Sequence, residues 1–404
     1  METPPPGSRE RAVAVVDLWA VRANTRALLA AARRAAPGAE LMAVVKADGY
    51  GHGAAPVARE AVAAGAAVLG VATPGEAVQL RDAGIAAPVV AWLWVPGEDL
   101  RPALAAGVQL TVSSTQQLAA LLDQAGAAAG GGPVPVHVKV DTGLGRGGVA
   151  PAALPELLAA VTAARLAGRV EVVGLMSHLA NGEVPEDPSV ADQLAVWDRA
   201  RRAVRAAGLA PRWEHLANTG ATLVHPATVG TLVRCGIGLY GLDPVPPGGG
   251  ERQHPVALRP AMTLRAAVAL VKRVPAGHGV SYGWTYRTTR ETTLALVPLG
   301  YADGIPRAAS NRAQVWLAGR RRTVAGQVAM DQFVVDCGDD PVAAGDEVLL
   351  FGPGDRGEPT ASEWAVACGT IDYEIVTRVG PRVPRRHVSG SDRGAHRTEQ
   401  GGRW

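Results

Sequence analysis

Of the 40 basic residues in this 404-residue chain only three are lysines: Lys46, Lys139 and Lys272. The others are arginines, so a generic cation is supplied by arginine almost everywhere and a retained lysine asks for a reason. Lys46 ends the apolar run LMAVVKA. Burying a lysine there carries a large desolvation cost unless it is paired, and burial lowers its proton affinity toward the neutral amine that attacks a carbonyl to form a Schiff base. The competing reading is a lysine that snorkels from a strand end. Arginine would serve that purpose as well, so composition favours a required primary amine.

Other residues capable of chemistry follow the same kind of apolar run. Asp141 and Arg146 stand in KVDTGLGRGG, His178 in GLMSHL, Asn218 and Thr219 in HLANTG, and Arg234 in LVRCG. Gly143, Gly145 and Gly148 formally spell GxGxxG, the pattern that cradles a dinucleotide pyrophosphate. Asp141 would repel an anion there, and tight packing of the loop under Arg146 is the stronger reading. Tyrosine is scarce too. Four of the six abut glycine, among them Tyr50 in GYG and Tyr282 in SYG, as a phenol presented on a tight turn would. The nine histidines read mostly as structural, with His178 the leading exception. Cys235, Cys337 and Cys368 fit neither a disulfide framework nor a zinc spacing and read as buried thiols.

The elements that must position these groups are eight short β-branched runs at 41–47, 67–73, 88–94, 108–113, 134–141, 170–179, 212–218 and 231–241. Amphipathic stretches alternate with them, at 56–65, 114–125, 155–166 and 191–208, with a further helix at 18–36. Eight near-continuous apolar strands alternating with helices predict an α/β fold, a closed (β/α)8 TIM-like barrel. In such a barrel the active face lies at the carboxyl ends of the strands, where the unusual polar residues fall. Beyond about residue 250 short alternating strands with Gly, Pro and Asp turns predict a mainly antiparallel β domain. The expected organisation is a disordered tail at 1–10, the barrel at 11–250, the β domain at 251–388 and a disordered tail at 389–404. A net charge of +3 with 4% aromatic residues argues against a nucleic-acid partner. The absence of an apolar run of about 20 residues or a signal peptide predicts no membrane segment and a cytoplasmic protein.

In order along the chain, AVVKADGYGHG, KVDTGLGRGG, SHL, HLANTGA, VRCGIGLYG, GVSYGWTY, GYADGIPR, VAMDQ and IDYEI followed by RVPRR resemble the motifs of the bacterial alanine racemases, pyridoxal-phosphate enzymes of fold type III. The resemblance spans roughly residues 12 to 387. It implies that Lys46 carries pyridoxal 5'-phosphate as a Schiff base and that Tyr50, Asn218, Thr219, Gly236, Ile237 and Tyr373 hold the cofactor and its phosphate. By the same resemblance Arg234, supported by His215, faces the pyridine nitrogen, and His178 packs by the ring. Arg146 approaches the ring oxygen and the substrate carboxylate. Tyr282 matches the second catalytic base, which in this family comes from the partner of a homodimer. Lys139 matches a lysine that is often carbamylated and orients Arg146, while Met330 and Tyr301 match substrate-side positions. The implied reaction interconverts L- and D-alanine for peptidoglycan synthesis, with no metal.

Removal of a Cα proton and its return to the opposite face require a base on each side of a planar intermediate, and a lysine with a tyrosine provides them. Asp48-Gly49, Cys235, Leu179 and Ala329 depart from the usual residues without removing a catalytic group. They leave a serine-preferring or broad-specificity racemase as the nearest alternative. A noncatalytic pyridoxal-phosphate carrier is disfavoured by the β domain with GVSYGWTY, and a fold-type III decarboxylase by the lack of a substrate-contacting cysteine motif. Lys272, in VKRV, matches no chemistry and reads as a surface residue.

Overall fold

A computed structural model describes residues 10–125, 132–247 and 251–389. The expected tails fall almost wholly outside the described residues. The described chain divides into two compact units.

One unit comprises residues 21–49 and 54–258. The chain's first strand, β1 (Ala12–Asp17), is not part of it. Its strands are β2 (Glu40–Val44), β3 (Val68–Val71), β4 (Val89–Ala91), β5 (Gln109–Val112), β6 (Val134–Lys139), β7 (Val170–Met176), β8 (Trp213–His215) and β9 (Leu232–Cys235). They pair in parallel in the order β8-β7-β6-β5-β4-β3-β2-β9. Chain order therefore equals spatial order, with the last strand returning to the first through the register Leu41↔Val233. Between β8 and β9 the backbone N–H of Arg234 donates to the Ala217 carbonyl at 3.0 Å, bridging the remaining seam. The strands lie where the apolar runs predict them, because a sheet covered on both faces needs continuous Val, Leu, Ile and Ala. β3 and β4 are buried at every position.

The helices of the crossovers include Ala54–Ala63, Pro74–Asp82, Thr115–Ala125, Leu154–Leu166 and Pro188–Ala206. The sequence TPGE starts the second of these as a capping box: Thr73 Oγ1 accepts from the Glu76 N–H while the Glu76 carboxylate accepts from the Thr73 N–H.

The other unit comprises, among the described residues, 10–20, 50–53 and 259–389. Beyond β1 it contains β10 (Met262–Ala267), β11 (Leu270–Val274), β12 (Gly279–Val280), β13 (Tyr286–Arg287), β14 (Thr292–Val297), β15 (Gln314–Leu317), β16 (Arg320–Ala325), β17 (Phe333–Gly338), β18 (Glu347–Phe351) and β19 (Arg385–Val388). Nine of them pair in the order β11-β14-β17-β16-β15-β18-β10-β1-β19, antiparallel except for β1 with β19. The apolar segment TLRAAVALVKRV holds two strands: at Val268 and Ala269 the backbone leaves β10 to bond Asp346 and Leu296. β1 lies in this sheet although the sequence expectation assigned residues 11–250 to the barrel; its alternation of Val with Ala suits either sheet, and only pairing with β10 decides. The helices Ala361–Cys368 and Asp372–Thr377 also lie here, hidden in sequence by their brevity. Among the described residues no helix is long and apolar enough to cross a membrane.

Candidate active site

In the barrel unit Lys46 follows β2, and the chain then turns in the left-handed sense, with φ of 52° at Ala47, 50° at Asp48, 63° at Gly49 and 52° at Tyr50. For residues with a Cβ this conformation is strained by about 1–2 kcal/mol each. The turn is held by Asp48 Oδ1, which accepts from the Ala54 N–H, by the Gly49 N–H on the Val45 carbonyl, and by Glu76 Oε1, which accepts from the Ala47 N–H at 2.7 Å. The Lys46 amine is half-buried. Burial, followed by the positive charge of Arg146, pulls its pKa below the ordinary lysine value, while Glu76 opposes the shift.

Four of the predicted residues extend this cluster. Lys139 ends β6, and burial with the charges of Arg234 and Arg146 brings its amine down to about 8, against Asp141 and with a further contribution from Lys46. The Asp141 carboxylate accepts from the N–H groups of Gly143 and Gly145. The amides a pyrophosphate would need are therefore occupied, and GLGRGG is a packed turn rather than a dinucleotide cradle. Gly148 is required in it, because a Cβ there would lie 2.5 Å from the Asp141 nitrogen. Arg146 itself is exposed. His178 is pushed well below its usual pKa by burial and by Arg234, Arg146, Lys139 and Lys46, and stays neutral.

Arg234 is fully enclosed. One guanidinium nitrogen donates to the His215 carbonyl at 2.5 Å and to His215 Nδ1 at 3.2 Å. The other donates to the carbonyls of Ser177 at 2.7 Å and Leu216 at 3.0 Å and to His178 Nδ1 at 3.1 Å. All five acceptors are neutral. Burial lowers its pKa to about 10, which still leaves it charged at neutral pH.

Sequence reasoning missed what lies behind Arg234. His215 Nε2 meets His137 Nδ1 at 2.9 Å, and His137 Nε2 meets Gln109 Oε1 at 2.8 Å. Arginine can only donate, so His215 Nδ1 accepts, His215 Nε2–H donates to His137, and His137 Nε2–H donates to Gln109. Both rings are neutral, and burial brings His137 down to about 3. The signal was present in HVKVD: in a strand of a mostly apolar sheet, three polar residues at alternate positions share one face. Gly174 on β7 makes room for the ring, since a Cβ there would lie 1.8 Å from His137 Nδ1.

Near β8 and β9, Asn218 Oδ1 caps the helix Thr219–Val224 by accepting from the Ala221 N–H, and Thr219 Oγ1 accepts from the Gly236 N–H at 3.0 Å. Ile237, buried, opens the short helix Ile237–Tyr240, whose Tyr240 hydroxyl donates to the Val44 carbonyl. Gly238 must lack a Cβ, which would come within 2.6 Å of the Thr219 methyl. Cys235 is buried, and burial pushes its thiol up to about 12; Cys337 is buried as well, whereas Cys368 is only half-buried.

The second unit holds the remaining predicted residues. Tyr50 and Tyr373 come together, their ring centroids 6.2 Å apart and tilted by 51°. Tyr282 lies between β12 and β13 on a turn with φ of 59° at Ser281, 69° at Gly283 and 47° at Trp284, and 75% of its surface is exposed. Tyr301 and Met330 adjoin through backbone: the N–H of Tyr301 donates to the Ala329 carbonyl and that of Ala302 to the Met330 carbonyl. A Cβ at Gly300 would lie 2.3 Å from both carbonyl oxygens. The buried Asp303 carboxylate fixes the same loop, accepting from the Gly300 N–H, Arg11 and Arg382. Lys272 is exposed, as its sequence context implies.

A family model described as "Alanine racemase, N-terminal domain" matches residues 16–244, and one described as "Alanine racemase, C-terminal domain" matches residues 261–387. The chain belongs to the alanine racemase family. The alanine racemase of Frankia casuarinae is 55% identical over 388 residues, covering 95% of this chain and 98% of that protein. That of Streptomyces coelicolor is 53% identical over 385 residues, covering 94% and 96%. The crystal structure of the alanine racemase from D-cycloserine-producing Streptomyces lavendulae superposes with a TM-score of 0.89 at 50% identity, covering 95% of this chain and 98% of that one. A Bacillus anthracis alanine racemase with bound L-Ala-P gives a TM-score of 0.85 at 33% identity, covering 95% and 96%.

Alanine racemases depend on pyridoxal phosphate, and the barrel residues fit an anionic group of that kind. A buried guanidinium normally has a carboxylate partner, yet Arg234 has five neutral acceptors. Four cations act on His178, and no carboxylate is among the causes of its shift. Such a cluster favours a bound anion and withholds protons from the amines within it.

Proposed function

We propose that this chain is an alanine racemase that interconverts L- and D-alanine on pyridoxal phosphate, with Lys46 and Tyr282 as the two bases. The observation that carries the reading is the Lys46 amine, held at the carboxyl end of the first barrel strand where burial and Arg146 favour its neutral form. Lys46 anchors the cofactor; Asn218, Thr219, Gly236 and Ile237, with Tyr50 and Tyr373, hold it and its phosphate. Arg234 is the donor toward the pyridine nitrogen, and an arginine, still protonated at neutral pH, keeps that nitrogen unprotonated. The neutral His178 packs beside the ring. Arg146 takes the substrate carboxylate, and Met330 and Tyr301 line the substrate side. When bound, pyridoxal phosphate supplies the conjugation that takes up the electron pair left on Cα.

Lys46 removes or returns the Cα proton on one face, and Tyr282 of the partner subunit does so on the other. The active species in this reading is a cytoplasmic homodimer feeding D-alanine to peptidoglycan synthesis. The proposed domain division is a barrel that ends near residue 250 and a β domain at 251–388 that also takes up β1. Lys139, brought down to about 8, has a neutral fraction whose nitrogen attacks carbon dioxide, forming a carbamate and releasing a proton. The added negative charge offsets the surrounding cations and orients Arg146. Intact-protein mass spectrometry should show an adduct of one carbon dioxide that is absent in Lys139→Ala.

The test of the function is borohydride reduction of the purified yellow protein, peptide mapping, and chiral assay with alanine and serine. The expected result is cofactor fixed on Lys46 and turnover favouring alanine. Label on another residue would reject the assignment, and faster turnover of serine would make it a serine racemase.

A further inference from the structure

The Glu76 carboxylate does more than cap its helix. Oε2 accepts from the N–H groups of Ala72 at 2.8 Å and Thr73 at 3.0 Å, which the capping box explains. Oε1 is free of that duty and reaches 29 residues back to the N–H of Ala47, the residue after Lys46 and the first of the left-handed turn. Three residues with a Cβ hold that strained conformation, which persists only where its surroundings over-determine it. The titratable groups around Lys46 come from several elements: Arg146, after β6, whose charge lowers the Lys46 pKa, and Lys139 at the end of β6 and the neutral His178 after β7, both of which feel the charge of Lys46. Asp48, on its own turn, is turned to the Ala54 N–H. Of these, Arg146 withholds a proton from Lys46, and Glu76 is the carboxylate acting in the opposite sense.

We propose that Glu76 is the positioning residue and counter-ion of Lys46: it pins the turn that aims the amine and lets that amine hold a proton amid surrounding cations. The proposal deepens the reading of Lys46 as a catalytic base and rests on it. A base that returns the proton it has taken must bind it long enough to do so. A lysine among cations with no carboxylate would take up the proton poorly; Glu76 restores the balance through a carboxylate whose geometry is fixed by three backbone donors.

The experiment compares the wild type, Glu76→Gln, Glu76→Asp and Thr73→Ala. Each full-length protein is freed of cofactor with hydroxylamine, checked for secondary structure by circular dichroism, and labelled with trace acetic anhydride across pH. Modification of Lys46 is quantified by peptide mass spectrometry. Removing an opposite charge at this range is expected to lower the half-titration of Lys46 by about one pH unit, roughly tenfold in proton affinity. Glu76→Gln should show that shift and Glu76→Asp a smaller one. Thr73→Ala, which breaks the capping box and leaves the carboxylate, should melt at lower temperature with Lys46 titrating as in the wild type. A wild-type titration in Glu76→Gln would overturn the proposal. So would a shift in Thr73→Ala as large as that in Glu76→Gln, because an intact helix start would then suffice. Borohydride mapping of each holoenzyme separates this from the functional reading: cofactor fixed elsewhere than Lys46 rejects that reading, whereas the labelling titration judges the Glu76–Lys46 pair on its own.

Discussion

Alanine at position 174 should break the support of Arg234 from behind. Gly174 does not have a positive φ, so the backbone accepts alanine, and the nearest obstacle is the His137 ring, whose Nδ1 would lie 1.8 Å from the new methyl. That is about half a normal contact distance, so the ring must move, and the His215 Nε2–H then loses its acceptor in a fully buried place. Overpacking of this kind destabilises by about 1–3 kcal/mol, and an orphaned buried donor adds about 1–3 kcal/mol. A loss of roughly 2–6 kcal/mol is therefore expected, read by urea unfolding followed by circular dichroism. The decisive comparison is the double-mutant cycle with His137→Ala. Without the ring the three closest clashes are gone, so Gly174→Ala should cost much less in that background than in the wild type. Equal losses in both backgrounds would refute the steric account and the histidine chain built on it.

Tyr282→Phe should abolish deuterium exchange on one face of alanine while leaving the cofactor bound, as seen by chiral analysis and absorbance; unchanged racemisation would count against two bases. His137 and His215 are buried neutral with pKa values lowered by burial, His137 to about 3. The unfolded chain, titrating near 6.5, therefore binds more protons than the native state between those values, and stability falls as pH drops below about 6.5. Each of these two, and His178 held neutral in the same way, contributes about 1.4 kcal/mol per pH unit there, so unfolding at pH 5.5 should require about 4 kcal/mol less than at pH 7.5. A flat profile would mean that the rings are already charged when folded. Asp303→Asn removes a buried carboxylate between Arg11 and Arg382 and should lower stability by about 3 kcal/mol in the same urea assay.

The barrel was legible because most of its eight strands lie in predominantly apolar runs and because Lys46, Asp141, His178, Asn218 and Arg234 each follow or interrupt such a run. Chain order and spatial order coincide in that sheet, so strand detection amounts to topology. The second sheet was less legible. Its neighbours are far apart in sequence, and β1 and β19 carry no local mark of the pairing Val15↔Arg386. The site was readable where a residue type is chemically singular, as with a lysine in an arginine-using chain. It was not readable where an ordinary residue gains its role from a distant partner: Glu76 is plain as a helix cap but not as a neighbour of Ala47, and Gly174 has no meaning until His137 lies across from it.

The pairing of β1 between β10 and β19 has a consequence for synthesis of the chain. β1 leaves the ribosome long before it can find its neighbours, since β10 begins at Met262 and β19 at Arg385. At roughly 5–20 residues per second the wait is on the order of tens of seconds. All eight barrel strands are made in the interval, so nascent chains halted once β9 has cleared the ribosome should already protect the barrel amides from hydrogen exchange while residues 12–17 exchange freely. The same arrangement brings the beginning and end of the described chain side by side, and a permuted gene that joins them and opens a loop elsewhere would shorten that wait.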